Sequence, residues 1–390
     1  MSGTGPDRPL SILLAAVEPS ADALGASLVA ALRDRAPDIK VFGCGGALMG
    51  AAGFESAFDT GELAVMGFTD VVRALPVGFQ RARELAALAR AQAADAAVLI
   101  DGWAFSRITA KRLRALSPQT KVFKYAAPQV WASRPQRVDF VKHYFDGVLT
   151  LLPFEPPWFD RVGVQAAFVG NPTFEKAYGA RGDGAAFRAR HNIDASPALL
   201  VAPGSRRSEI THIAPVFVET ANLLSKQVPA LKIIVAPAPA VAEETRAALA
   251  TIKAPVFFAE PAEKYDAFAA ADVALAASGT VTTELAINKT PTVVAYRADV
   301  LTAFWARRVV TSPFASIVNV AAGEAVMPEF IQEECAPEKL APAVAALLSD
   351  EAQRAVQTAR FDDVIARLGL DGPPAAGRAA DQLLAWMAKA

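Results

Sequence analysis

Ala198-Leu199-Leu200-Val201-Ala202-Pro203-Gly204-Ser205-Arg206-Arg207-Ser208-Glu209-Ile210 joins an apolar run to a glycine turn and then to a helical pattern. An uninterrupted apolar run of this length, closed by a proline and a glycine, fits a strand of a parallel sheet covered on both faces. Gly204 permits close approach of the backbone, and the N–H groups of the next helical turn suit a diphosphate. Arg206 would add a charge-assisted contact. An ordinary strand-to-helix turn with a surface arginine pair reads the same way, so both readings stand at this point.

Working outward, the same alternation recurs along the chain. Ala198–Ala202, Leu231–Ala236, Val256–Phe258, Val273–Ala276 and Thr292–Ala295 read as strands with helices between them. Upstream, Leu10–Val17, Lys40–Gly43, Ala96–Asp101, Lys121–Ala126, Gly147–Leu152 and Ala167–Gly170 form an earlier set, separated by helical patterns such as Asp22–Arg33, Phe79–Gln92 and Phe105–Leu116. Such alternation implies doubly wound α/β folding with right-handed crossovers. The expectation is two Rossmann-like parallel-sheet domains facing a cleft, the glycosyltransferase-B layout. The expected divisions are an N-terminal domain at 1–170, a Gly- and Ala-rich linker at 171–194, a C-terminal domain at 195–365 and a helical tail at 366–390. Epimerases and periplasmic binding proteins share this layout, so the fold does not choose a function.

Three further segments carry chemistry. Ala277-Ser278-Gly279-Thr280-Val281-Thr282-Thr283-Glu284 again links a strand to a helix. Ser278, Gly279 and Thr280 offer small groups and N–H donors, and Glu284, a turn later, can accept the two ribose hydroxyls of a nucleotide. A capped helix with an acidic first turn is the plain alternative. Leu99-Ile100-Asp101-Gly102-Trp103 places Asp101 at the carboxyl end of a strand, where ligands bind in such sheets, although a helix cap has the same position. The stretch from Met66 to Arg81 mixes Phe68, Val72, Leu75 and Phe79 with arginines, as a membrane-surface patch or a core helix would.

Composition excludes several classes. The chain has 390 residues, is 53% hydrophobic and carries a net charge of −1, which argues against a nucleic-acid partner. No apolar run reaches the roughly 20 residues of a membrane span. Cys44 and Cys335 cannot make a disulfide framework, which points to the cytoplasm. His143, His191 and His212 lack zinc-ligand spacing, so neither a metal nor another cofactor is expected.

Taken in order, these segments resemble the lipid-A-disaccharide synthase family. The resemblance runs from about Leu10 to Leu348 and includes Glu62-Leu63-Ala64-Val65-Met66-Gly67-Phe68, Val130-Trp131-Ala132 with Arg134, Pro153-Phe154-Glu155-Pro156, Phe168-Val169-Gly170, Pro203-Gly204-Ser205-Arg206 and Ala277-Ser278-Gly279-Thr280, with Asn319, Glu329 and Gln332 further on. It implies an inverting transferase joining UDP-2,3-diacylglucosamine to 2,3-diacylglucosamine 1-phosphate, working peripherally at the inner face of the cytoplasmic membrane. A homo-oligomer is compatible with it. Asp101 matches the family's general base, and Glu18 matches the glutamate of its first loop, G-E-x-S-G-D. Arg206, Glu284 and Asn319 match positions near the donor nucleotide, beside Gly204, Ser205, Ser278, Gly279 and Thr280. Departures cluster on the acceptor side: Val17, Ala21, Ala104, Ala127, Gln129 and Asn171 stand where the family usually has other residues. A divergent paralogue with another lipid acceptor or no activity, a UDP-sugar epimerase, and a binding module without chemistry remain alternative readings.

Overall fold

The structure, a computed structural model, describes residues 8–63 and 68–388, with side chains for all of these except 68–75, 300 and 301. It divides into two units, Met1–Pro172 with Gly372–Ala390, and Thr173–Asp371.

The first unit is built on six parallel strands: β1 (Ser11–Ala15), β2 (Lys40–Cys44), β3 (Ala96–Ile100), β4 (Lys121–Tyr125), β5 (Gly147–Thr150) and β6 (Gln165–Phe168). Their order in the sheet is β2-β1-β3-β4-β5-β6. β1 and β3 are buried at every position, because helices cover both faces of a parallel sheet. The chain leaves β1 for β2 on one side and returns to β3 on the other. That reversal puts the switch point of the sheet between β1 and β3.

The second unit repeats the plan with β7 (Ala198–Ala202), β8 (Lys232–Val235), β9 (Val256–Phe258), β10 (Val273–Ala277), β11 (Thr292–Tyr296) and β12 (Glu329–Ile331). Its order is β12-β11-β10-β7-β8-β9, so its switch point lies between β7 and β10. β12 was not anticipated from the sequence. A three-residue, half-buried edge strand is too short to show a period.

One device pins the strand starts in both sheets. An aspartate just before a strand accepts the N–H of the first or second residue of its neighbour: Asp95 from Ser11 at 2.8 Å, Asp146 from Val122 at 2.6 Å and Asp272 from Ala198 at 2.8 Å. An arginine neutralises each: Arg8, Arg114 and Arg188 respectively. Register is thereby fixed at the end of the sheet opposite the switch point.

The stretch expected to be a linker, 171–194, contains two helices, Pro172–Gly179 and Gly184–Arg190. Its glycines serve packing, not freedom. A Cβ on Gly182 would stand 2.0 Å from the Tyr265 carbonyl oxygen, and one on Gly184 would stand 2.3 Å from that of Ala269. Phe187 is fully buried in the second unit's core. Helix Ala375–Ala388 returns to the first unit, where Trp386 stacks on Phe123 at 5.4 Å and Asp381 pairs with Arg35. The helix expected over Phe79–Gln92 begins earlier, at Phe68, and runs through Pro76 to Ala91.

Two motifs quoted above turn out to be one structural joint. Glu155 is buried and accepts Trp131 Nε1 at 3.2 Å and the backbone N–H groups of Leu151 and Leu152 at 3.1 and 3.0 Å. Burial pushes its carboxyl up to about 7, against the pull of those three donors.

Candidate functional site

Helices Arg207–Gln227 and Thr280–Ile287 start at the carboxyl ends of β7 and β10, on either side of the second unit's switch point. Between them lies a cavity of about 360 Å³. Gly204, Ser205 and Arg206 form one wall, Ser278, Gly279 and Thr280 another, and Glu284 and Lys264 face it as well. The two glycine-containing motifs therefore converge, and together they set two helix starts around one concave space.

The first loop is not built as expected. Its N–H groups at Ser205 and Arg206 are spent internally, on Glu209 Oε2 at 2.8 and 3.2 Å. Glu209 sits in the first turn of its helix, where the helix dipole favours a carboxylate. It also draws in the Arg206 guanidinium at 2.8 Å, although that side chain is 75% exposed and stands at the cavity rim. Gly204 has φ +130°, and a Cβ there would lie 2.5 Å from Glu209 Oε2. Glycine is thus required for the Glu209 clasp as well as for close approach of a ligand.

Glu284 is 5% exposed and lies beyond the first turn of its helix, so it does not serve as a cap. Lys264 Nζ donates to its two carboxylate oxygens at 2.6 and 2.8 Å, and the Tyr265 hydroxyl donates at 3.1 Å. Burial first, then the Glu284 charge, pushes the Tyr265 phenol well above its usual range. A carboxylate has about four lone-pair sites, so three bonds leave it little capacity for both ribose hydroxyls unless Lys264 yields. Lys264 carries no local sequence signal. Its pairing spans a strand and a helix and cannot be read from spacing.

Asn319 does not line the cavity. It is fully buried, and its amide is used by Met327 N–H and C=O, both at 2.8 Å, and by Glu329 at 2.8 Å. Glu329 in turn accepts the N–H groups of Ala315 and Ser316. The carbonyl of Ala315 accepts the Ser278 hydroxyl at 2.8 Å. Asn319 therefore reaches the site only by bracing the loop that holds Ser278.

In the first unit, the loops after β1 and β3 bring Glu18, Ser20 and Asp101 together at the other switch point. Ser20 Oγ donates to Asp101 Oδ2 at 2.8 Å. Asp101 is not the helix cap: the cap position of helix Trp103–Leu116 is Gly102, with no side-chain bond. Asp101 takes φ +47°, uncommon for a residue with a Cβ. Burial and then the Asp101 charge raise the Glu18 carboxyl, with Lys124 pulling it back. Beneath them lies Lys124, whose ammonium burial lowers to about 7. Lys124 was missed, although a lysine set between Phe123 and Tyr125 in a mostly apolar strand is a visible signal. Asp22, from the same first loop, is structural: it accepts the N–H groups of Gly46, Leu48 and Met49.

Both thiols are inert at neutral pH, since burial pushes Cys44 up to about 12 and Cys335 to about 11. Among the described residues, no group of His, Cys, Asp or Glu could hold a metal ion. The side chains of Phe68, Val72 and Leu75 lie outside the described ones, while Phe79 is 46% exposed.

Two solved structures define the class. UDP-GlcNAc 2-epimerase from Neisseria meningitidis, bound to UDP-GlcNAc, matches at a TM-score of 0.57 and 12% identity over 98% of this chain and all 100% of that one. CalG4, the calicheamicin glycosyltransferase, matches at 0.53 and 17% over 97% and 98%. At such identities the likeness is of fold: two Rossmann-like domains of the glycosyltransferase-B type, used by epimerases and transferases alike. The sequence makes the choice between them. The family model described as lipid-A-disaccharide synthetase matches residues 12–379. The lipid-A-disaccharide synthase of Paramagnetospirillum magneticum is 41% identical over 377 residues, 96% of each chain. This chain belongs to the lipid-A-disaccharide synthase family of UDP-sugar glycosyltransferases, and the epimerase and non-catalytic readings are not favoured.

Gly204→Ala tests the geometry of the β7 loop. The added methyl must displace Glu209, and with it the Arg206 guanidinium that Glu209 holds at the cavity rim, so calorimetry should show UDP binding weakened by about tenfold or more, the loss of one charged hydrogen bond. Unchanged affinity would remove this loop from the nucleotide site.

Proposed function

We propose that this chain joins UDP-2,3-diacylglucosamine to 2,3-diacylglucosamine 1-phosphate, with Asp101 as general base. The acceptor 6-hydroxyl gives its proton to Asp101 as its oxygen bonds the anomeric carbon of the donor. The bond from that carbon to the UDP phosphate oxygen breaks, UDP leaves, and the new β-1,6 link has inverted configuration. The observation that carries the reading is the Glu18–Ser20–Asp101 group at the β1/β3 switch point, with Asp101 bonded to a hydroxyl instead of capping its helix. A placed base contributes on the order of 10²–10⁴ in rate.

In this reading the nucleotide occupies the second unit's cavity. Gly204, Ser205 and Arg206, with Ser278, Gly279 and Thr280, attend the diphosphate, and Glu284 attends the ribose once Lys264 releases one of its oxygens. Lys264 and Arg206 are then free to offset the charge that builds on the leaving UDP. Asn319 supports this arrangement through the Ser278 loop.

The acyl chains of both substrates call for a membrane surface. Among the described residues no helix is long and apolar enough to cross a membrane. We infer peripheral attachment at the cytoplasmic face through Phe68, Val72, Leu75 and Phe79, on a helix that also carries Arg73, Arg81 and Arg83. Each buried CH₂ is worth roughly 0.8 kcal/mol, so a few inserted side chains give reversible binding.

Two measurements check these assignments. Asp101→Asn should lower turnover by about 100-fold or more while UDP affinity holds, and near-normal turnover would refute the base. Replacing Phe68, Val72, Leu75 and Phe79 with serine should reduce co-sedimentation with anionic liposomes while the circular dichroism spectrum is kept. Collapse of that spectrum would instead make these residues core.

A further inference from the structure

Lys124 lies in the buried part of its strand, between Phe123 and Tyr125, and is 1% exposed. A charge so placed is costly unless its hydrogen bonds are complete. Here they are. Its Nζ donates to the carbonyl oxygens of Leu99 at 3.1 Å, Asp101 at 2.6 Å and Tyr125 at 3.1 Å. An ammonium has three donors, so the protonated form fills this cage, and a neutral amine would leave one acceptor empty.

The cage surrounds the bend that carries the base. Asp101 and Gly102 both take φ +47°, two successive left-handed residues, the first of which pays for its Cβ. Asp101 N–H donates to the Tyr125 carbonyl at 2.9 Å, and Ser106 Oγ donates to the Asp101 carbonyl at 2.8 Å. Lys124 thus binds both strand ends between which the bend is held. The charged groups acting on it are Asp101, on the loop after β3, and Glu18, on the loop after β1. Glu18 lies close over the bend, with Oε1 3.3 Å from where a Cβ on Gly102 would stand.

The geometry points to Lys124 as a positioning residue for Asp101: its ammonium holds the left-handed bend that turns the carboxylate to Ser20. This rests on Asp101 being the base. No bond to Lys124 forms or breaks in the reaction.

The experiment compares Lys124→Met, which removes donors and charge, with Lys124→Gln, which keeps amide donors without the charge and decides the matter if the methionine variant does not fold. Both are made in the full chain, and turnover, UDP affinity and the pH profile of kcat/KM are measured beside Asp101→Asn. Turnover should fall at least about tenfold with UDP affinity within about twofold. The acidic limb of the profile should move to higher pH, because the cation that lowers Glu18 is gone. A purely structural lysine would change stability and leave that limb in place. Folded Lys124 variants with wild-type turnover and an unmoved limb, beside an inactive Asp101→Asn, overturn the role of Lys124 alone. Near-normal turnover in Asp101→Asn overturns the base itself, and this proposal with it.

Discussion

Every functional segment of this chain depends on one topological constraint: in a parallel sheet with right-handed crossovers, the strand order must reverse somewhere. At the reversal, adjacent strands send their connections to opposite faces, and their carboxyl ends are left with an open crevice. Both units have such a point, between β1 and β3 and between β7 and β10. The loops leaving these four strands carry Glu18, Asp101, Gly204–Arg206 and Ser278–Thr280. At the opposite ends of these strand pairs, Asp95 holds the register of β1 with β3 and Asp272 that of β7 with β10.

The two crevices are prepared for different charges. In the second unit, Glu209 and Glu284 hold Arg206 and Lys264 in place, so cations wait at the cavity already paired. An anionic ligand can take over those partners without importing positive charge into a chain whose net charge is −1. In the first unit the sign is reversed: two carboxylates face the open side, and Lys124, a cation acting on both, is buried beneath them. Fold alone gives neither arrangement, since epimerases and transferases share it. The residues hung on the fold do.

How much of this could be read from sequence follows from range. Ala198–Ala202 was placed to the residue because a strand covered on both faces is a plain apolar run, here bordered by Pro197 and Pro203. Gly204 and Ser278-Gly279-Thr280 were legible because loops after such strands are short and local. Pairings were not. Lys264 meets Glu284, and Lys124 meets the Asp101 bend, across gaps in sequence that periodicity cannot bridge. The partners of Asn319 were hidden for the same reason: Met327 and Glu329 make it a brace of the loop beside Ser278. Gly182 and Gly184 misled because a glycine needed for close packing has the same letter as one in a flexible linker.

The most direct test of the central claim is to mix the purified chain with UDP-2,3-diacylglucosamine and 2,3-diacylglucosamine 1-phosphate and follow UDP release together with the sugar product. The account predicts UDP released in equal amount with a β-1,6-linked disaccharide, and none released when the acceptor is left out. A UDP-sugar altered at one ring carbon, with no disaccharide formed, would contradict it.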